Sequence, residues 1–188
     1  GTPSLFSPQA IARLLSAVRA RLPLLPDCEI TLEANPGTFE RERFAAYAQA
    51  GVTRLSVGVQ SFDDAALHAL GRIHTAEQAS AALSEAARTF STFNLDLMYA
   101  LPAQTLAGLQ HDLTQALAFA PPHLSIYQLT IEPNTFFAKY PPPHLPDDDL
   151  AYTMLDAITA QTATCDLQRY EVRSEEHTSE LQSPCNLV

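Results

Sequence analysis

The stretch at residues 94–105, NLDLMYALPAQT, constrains this chain more than any other. Leu95 and Leu97 alternate with Asn94, Asp96 and Met98, the period of two that sets side chains on opposite faces of a strand. Asp96 therefore lies mid-strand, on the face away from the leucines. A carboxylate buried there without a partner is very costly, so it must find hydrogen bonds or a cation such as Arg54 or Arg72. The strand ends by Pro102, which has no N–H to give a sheet ladder, and a long amphipathic helix pattern follows. Strand, short loop and helix make one unit of a β/α barrel, whose chemistry gathers at the C-terminal strand ends.

The unit recurs along the chain. Residues 7–21 read as a helix with Ser7 as N-cap and Pro8 at its first position. Residues 29–34 (EITLEA) alternate as a strand, Asn35-Pro36-Gly37 turns the chain, and 38–50 form a helix capped by Thr38 and stopped at Gly51, with Phe44 and Tyr47 inward. Residues 54–60 (RLSVGVQ) are the next strand, in which Gly58 signals a close approach by another group. Asp63 caps a short helix to residue 70, and Thr75 caps a longer one to about residue 89. After the Asn94 strand come a helix at 105–119, a strand at 123–129, an irregular proline-rich stretch at 130–146, and a helix at 147–163. A further strand is expected to start at 169–172. Strands alternating with helices imply right-handed crossovers and a parallel sheet. Four strands cannot close a barrel that takes about eight, so the chain forms an open sheet or part of a larger barrel.

Composition excludes several functions. The net charge is -10 with scattered basic residues, unlike the clustered Lys and Arg of a nucleic-acid groove. No apolar run reaches the roughly 18 residues of a membrane helix and no signal peptide opens the chain, so a cytoplasmic setting is expected. The three cysteines, Cys28, Cys165 and Cys185, lack the close spacing of a metal site or redox pair. Asp147-Asp148-Asp149 stands where a helix begins and complements its dipole.

The chemistry-bearing signal is positional. Glu33, Gln60, Asp96, Gln128 and Thr130 fall at or near the C-terminal ends of successive strands. A purely structural parallel sheet would show continuous apolar strands, so a shared polar ligand pocket is expected at that rim. Arg72, in the loop GRIH, could clamp a carboxylate with two hydrogen bonds. His74 reads as structural. No nucleophile–base set, phosphate loop or dinucleotide fingerprint is present.

Six ordered motifs carry a resemblance: GTPSL at 1–5, LEANPG at 32–37, GVQSF at 58–62, LGRIH at 70–74, NLDLMYALP at 94–102 and LTIEPNT at 129–135. Together they resemble the oxygen-independent coproporphyrinogen III oxidase family of radical S-adenosylmethionine (SAM) proteins, and within it the HemW-type haem chaperones. The resemblance implies an α/β fold, an incomplete parallel (β/α)6 partial TIM barrel lacking its first strand and the C-terminal domain. Residues 1–172 would be a partial radical SAM core and 173–188 a non-native tail, since RSEEHTSELQS at 173–183 looks like a translated sequencing adapter. The family's CxxxCxxC loop, which holds a [4Fe-4S] cluster, is not matched here, so the fragment is expected to be inactive in radical chemistry.

The family's SAM contacts match Gly1, Thr2, Glu33, Gln60, Arg72, Asp96 and Thr130. Glu33 and Asp96 would accept from hydroxyl or ammonium groups, and Arg72 would hold a carboxylate of SAM or of a porphyrin propionate. Haem or porphyrin and a haem-accepting protein are the implied partners. The alternative within the family is the dehydrogenase that decarboxylates coproporphyrinogen III oxidatively; outside it stands an unrelated β/α barrel enzyme. Ala100 and Ala103 replace the usual glycines of YGLPGQT, which adds strain wherever φ must be positive.

Overall fold

The computed structural model describes residues 2–37 and 41–171. Gly1, the Thr38 cap and the tail expected at 173–188 lie outside the described residues. A short 3-10 turn, Pro3–Leu5, leads into α1 (Pro8–Arg19), whose N-cap Ser7 accepts the Ala10 N–H as expected. β1 (Thr31–Ala34) starts two residues later than EITLEA suggests, because the Ile30 N–H is given to the Thr53 hydroxyl at 2.8 Å and not to a ladder partner. α2 spans Phe44–Ala50, and Gly51 ends it in the left-handed region at φ 106°. β2 (Arg54–Gln60) is followed by α3 (Asp64–Ala69), capped by Asp63, and by α4 (Ala76–Thr89), which opens with a reciprocal Thr75–Gln78 capping box. β3 (Thr92–Tyr99), α5 (Leu106–Ala118) and β4 (His123–Gln128) complete the alternation.

Two expectations are corrected beyond β4. The proline-rich stretch contains a short helix, α6 (Phe136–Lys139), because Thr135 caps it through the Ala138 N–H. Residues 169–171 form no strand: Tyr170 meets the His123 ring edge-on at 6.4 Å beside β4, without a ladder. Val172 is outside the described residues. Between them α7 (Asp148–Ala163) starts at its Asp147 cap and packs on α5, burying Ala151, Met154 and Ile158.

The four strands pair in chain order, β1-β2-β3-β4, all parallel. One sheet face carries Leu55, Val57, Leu95, Leu97, Leu124 and Ile126, all buried in one cluster with Ala79, Ala82 and Leu83 of α4 and Leu109, Leu113 and Ala116 of α5. Each of these large side chains withdraws apolar surface worth roughly 1.5–3 kcal/mol, which fixes the register: a slip of one residue would expose the whole set. The other face takes the alternate residues. At the N-terminal end, the Tyr47 hydroxyl reaches the carbonyls of Ser4 (2.6 Å) and Phe6 (3.0 Å), tying the opening turn to α2.

Ala100 and Ala103 both sit in the left-handed region, at φ 57° and 58°, as the comparison with YGLPGQT anticipates. The left-handed region costs an L-residue roughly 1–2 kcal/mol, of which glycine gives back about 0.5–1 through its looser unfolded chain. Ala103 is exposed, so Ala103→Gly is expected to stabilise by about 0.5–1 kcal/mol. Ala100 is buried, and its lost methyl, worth about 0.8 kcal/mol, cancels most of the gain. Paired thermal melts of the two variants check this order.

Candidate functional site

The polar face of the sheet is built by register. Glu33 of β1 stands beside Ser56 of β2, Ser56 beside Asn94 of β3, and Asp96 of β3 between Gly58 and Ser125 of β4. Asp96 is the hub. Its Oδ2 accepts the Ser56 hydroxyl at 2.9 Å, and its Oδ1 accepts Asn94 Nδ2 at 2.7 Å and the Tyr127 hydroxyl at 3.4 Å. Asn94 also donates to Ser56 Oγ at 2.8 Å and accepts the Ser125 hydroxyl at 3.1 Å.

No cation joins this network among the described residues. Arg54, one of the expected partners, begins β2 at the opposite end of the sheet and pairs with Glu29 at 3.0 Å. Arg72, the other, is half-buried in the loop after α3, and desolvation lowers its pKa. Its side chain has no ion-pair partner among the described residues. Asp96 is consequently pushed up to about 6: desolvation outweighs the hydrogen bonds from Ser56 and Asn94, and the Glu33 charge adds to it. The residue as a whole is half-buried, and packed protein surrounds the carboxyl group. Burial first, and then the Asp96 charge, raise the Tyr127 phenol above its ordinary value, so it stays a donor.

Gln60 closes β2 in an unexpected way. The register shifts after Gly58, so that Gln60 pairs with Leu97, and its φ is 65°. Its side chain folds back over Gly58, where an added Cβ would lie 2.7 Å from Gln60 Nε2 and 3.7 Å from Asn35 Oδ1. Asn35 Nδ2 in turn donates to Thr2 Oγ1 at 3.4 Å. Thr2, Asn35, Gly58 and Gln60 are therefore neighbours, while the Glu33 charge acts on Asp96 across the same sheet face. Gln60 Oε1 is enclosed without a donor among the described residues.

The remaining sequence candidates are not drawn into that group. Thr130 is exposed, and its hydroxyl bonds Glu132 at 3.2 Å. Gln128 accepts the Tyr99 hydroxyl at 3.2 Å. No contact links Arg72 to the carboxylates. Gly1 lies outside the described residues. Sequence reasoning also missed Asn35, read as a turn residue, and Asp112 of α5, which is buried and accepts the Ser61 hydroxyl (2.8 Å) and the Phe62 N–H (2.7 Å). Desolvation raises the Asp112 carboxyl. Its signal was available: an acid between Leu109 and Leu113, on the stripe that faces the core. A separate groove of about 550 Å³ lies between α3, the loop after β3 and α6, and includes Asp112, Phe137 and His144 but none of Glu33, Gln60 or Asp96.

Comparison with known proteins bears on the family and the fold. A family model described as the radical SAM superfamily matches residues 1–116, more than half of the chain. The chain is 51% identical over 172 residues to the heme chaperone HemW of Escherichia coli and 50% identical over 172 residues to that of Haemophilus influenzae. Each match covers 91% of this chain and 45% of the relative, so the chain spans about half the length of these curated relatives. The solved structure of the E. coli coproporphyrinogen III oxidase HemN superposes with a TM-score of 0.79 at 27% identity, over 88% of this chain and 39% of that one. An open parallel α/β sheet, a polar face at its strand ends and these matches lead to one conclusion: the chain belongs to the radical SAM superfamily, with the HemW-type proteins.

Proposed function

We propose that this chain forms the SAM-binding part of a haem chaperone. The carrying observation is a carboxylate without a cation, Asp96, at the centre of a polar sheet face beside a glutamine whose amide oxygen has no donor. An enclosed acceptor without a donor, such as Gln60 Oε1, is costly until one arrives, and a buried carboxylate that has hydrogen bonds but no cation is stabilised when a positive charge approaches. SAM offers an ammonium group and ribose hydroxyls as donors. Asp96 and Glu33 would accept from them, Gln60 would take a further N–H or O–H, Thr2 and Thr130 would line the ends, and Arg72 would meet a carboxylate, from SAM or from a haem propionate. Gly1 belongs to the same expected set.

SAM supplies a sulfonium that an iron–sulfur cluster can cleave reductively. The cysteines among the described residues do not fit such a cluster: Cys28 precedes β1, Cys165 is exposed beyond α7, and thiolate ligands must converge. No metal-binding group occurs among the described residues, and we assign this chain no electron-transfer step. Haem as cargo rests on the chaperone names of the relatives at 50% and 51% identity, and the acceptor would be a haem-receiving protein. No helix among the described residues is long and apolar enough to cross a membrane, and we place the protein in the cytoplasm.

Two titrations test the reading. Calorimetry with SAM is expected to show a single saturable site, and haem titration a shifted Soret band. Absence of SAM binding ends the site assignment. Anaerobic conversion of coproporphyrinogen III to a vinyl product would replace the chaperone by the dehydrogenase.

A further inference from the structure

Gln60 occupies a turn that the chain holds from two sides. The Ser61 N–H donates back to the Val59 carbonyl at 2.9 Å, closing a three-residue γ-turn around Gln60 at φ 65°, and γ-turns with positive φ are rare and strained. On the helix side, Asp112 of α5, 2% exposed, grips the two residues after Gln60 through the Ser61 hydroxyl and the Phe62 N–H. Ser61 Oγ also accepts the Asp63 N–H at 3.0 Å, which joins the grip to the cap of α3. From the loop between α3 and α4, buried His74 places Nε2 3.1 Å from the carbonyl of Val59, the residue before Gln60. A carbonyl only accepts, so this nitrogen carries the proton.

We propose that Asp112 and His74 are positioning residues: they hold Val59, Ser61 and Phe62 so that Gln60 keeps its strained turn and presents its amide to the SAM site. The proposal rests on the SAM reading given above and adds to it residues remote from the ligand. The motive is the asymmetry of the turn. The Val59 carbonyl, the Ser61 hydroxyl and the Phe62 N–H are each met by a buried side chain, whereas the amide oxygen of Gln60 is enclosed with no donor among the described residues. Strained backbone persists where surrounding structure over-determines it, and such sites cluster at ligand clamps. Were the turn only structural, a residue with no unpaired amide would serve at position 60 equally well.

A double-mutant cycle on SAM affinity separates positioning from general stability. In the purified protein, Gln60→Ala is expected to weaken SAM about tenfold and Asp112→Ala about five- to tenfold, near the worth of one hydrogen bond to a ligand. Combining them is expected to weaken binding no further than Gln60→Ala alone, because Asp112 acts through Gln60. His74→Ala should behave as Asp112→Ala does, and His74→Gln, whose amide can reach the same carbonyl, should recover most of the affinity. If Asp112→Ala does not fold, Ser61→Ala removes one leg of the grip and enters the same cycle. Losses that multiply in the double variant, or a Gln60→Ala protein that binds SAM normally, overturn the positioning role while leaving the SAM site standing. Failure of the unaltered protein to bind SAM overturns both.

Discussion

Asp96→Asn is expected to make the protein more stable at pH 8 and much poorer at binding SAM. An ordinary aspartate titrates near 3.8, but in the fold burial pushes Asp96 up to about 6. Between those values the folded state holds a proton that the unfolded state has released, so stability falls as pH rises through this window. Above about pH 6 the full cost of the buried charge remains. A shift of this size corresponds to about 3 kcal/mol at most, and because Asp96 as a whole is only half-buried, about 1–3 kcal/mol is the expected gain from the neutral amide. The amide keeps an oxygen for Asn94 and Tyr127 and can donate to Ser56 Oγ, so the network survives. SAM loses a charged acceptor, worth about 1.5–3 kcal/mol, or about 10- to 100-fold in affinity. Urea melts at pH 4 and pH 8 decide the stability half: the advantage of Asn must shrink towards pH 4. An advantage equal at both pH values would mean that the Asp96 charge is not its source.

That trade of stability for an acceptor is the sense in which the sheet face is a site. Neighbouring Ser56, Asn94, Ser125 and Tyr127 are satisfied within the protein. A merely structural network could have placed Arg54 against Asp96. Instead Arg54 meets Glu29 at the far end, where exposure limits what the pair is worth.

Much of this was legible because it depends on side-chain type and spacing. The alternation through Leu95, Asp96 and Leu97 assigned the two faces of β3 correctly, and the caps read at Ser7, Asp63 and Thr75 all hold; Thr105 and Asp147, read as the first residues of their helices, cap them instead. The geometry at Gln60 was not legible. Strict alternation puts Gln60 level with Gly58 on one face, but the ladder slips there and the backbone turns left-handed, a choice imposed by His74 and Asp112 from distant parts of the chain. Asp112 was legible in part: its place between Leu109 and Leu113 marks it as inward-facing, but its partners, Ser61 and Phe62, lie in a distant part of the chain that helical spacing does not reach. Thr130 and Arg72 mark a further limit. Their motif positions suggest a shared pocket, but the described fold joins neither to Asp96 by a contact.

Gly58→Val is expected to fold and to lose SAM affinity by at least about tenfold, the loss of one well-placed hydrogen bond. The first atom added, Cβ, falls 2.7 Å from Gln60 Nε2, well inside contact distance, while Asn35 Oδ1 and Gln60 Cδ, both at 3.7 Å, tolerate it. What must move is therefore the end of one flexible side chain rather than backbone. The β-branched valine suits a strand better than glycine does, which offsets part of the cost of displacing the amide, so the melting temperature should change little. The binding site has no such latitude, because the displaced group is the one proposed to meet the ligand. Gly58→Ala should lose less, since the methyl lacks valine's second shell of atoms. A thermal melt beside a SAM titration separates the outcomes. Unchanged affinity with a normal melt would show that Gln60 can leave its place over Gly58 without consequence, and that its amide is not part of the site.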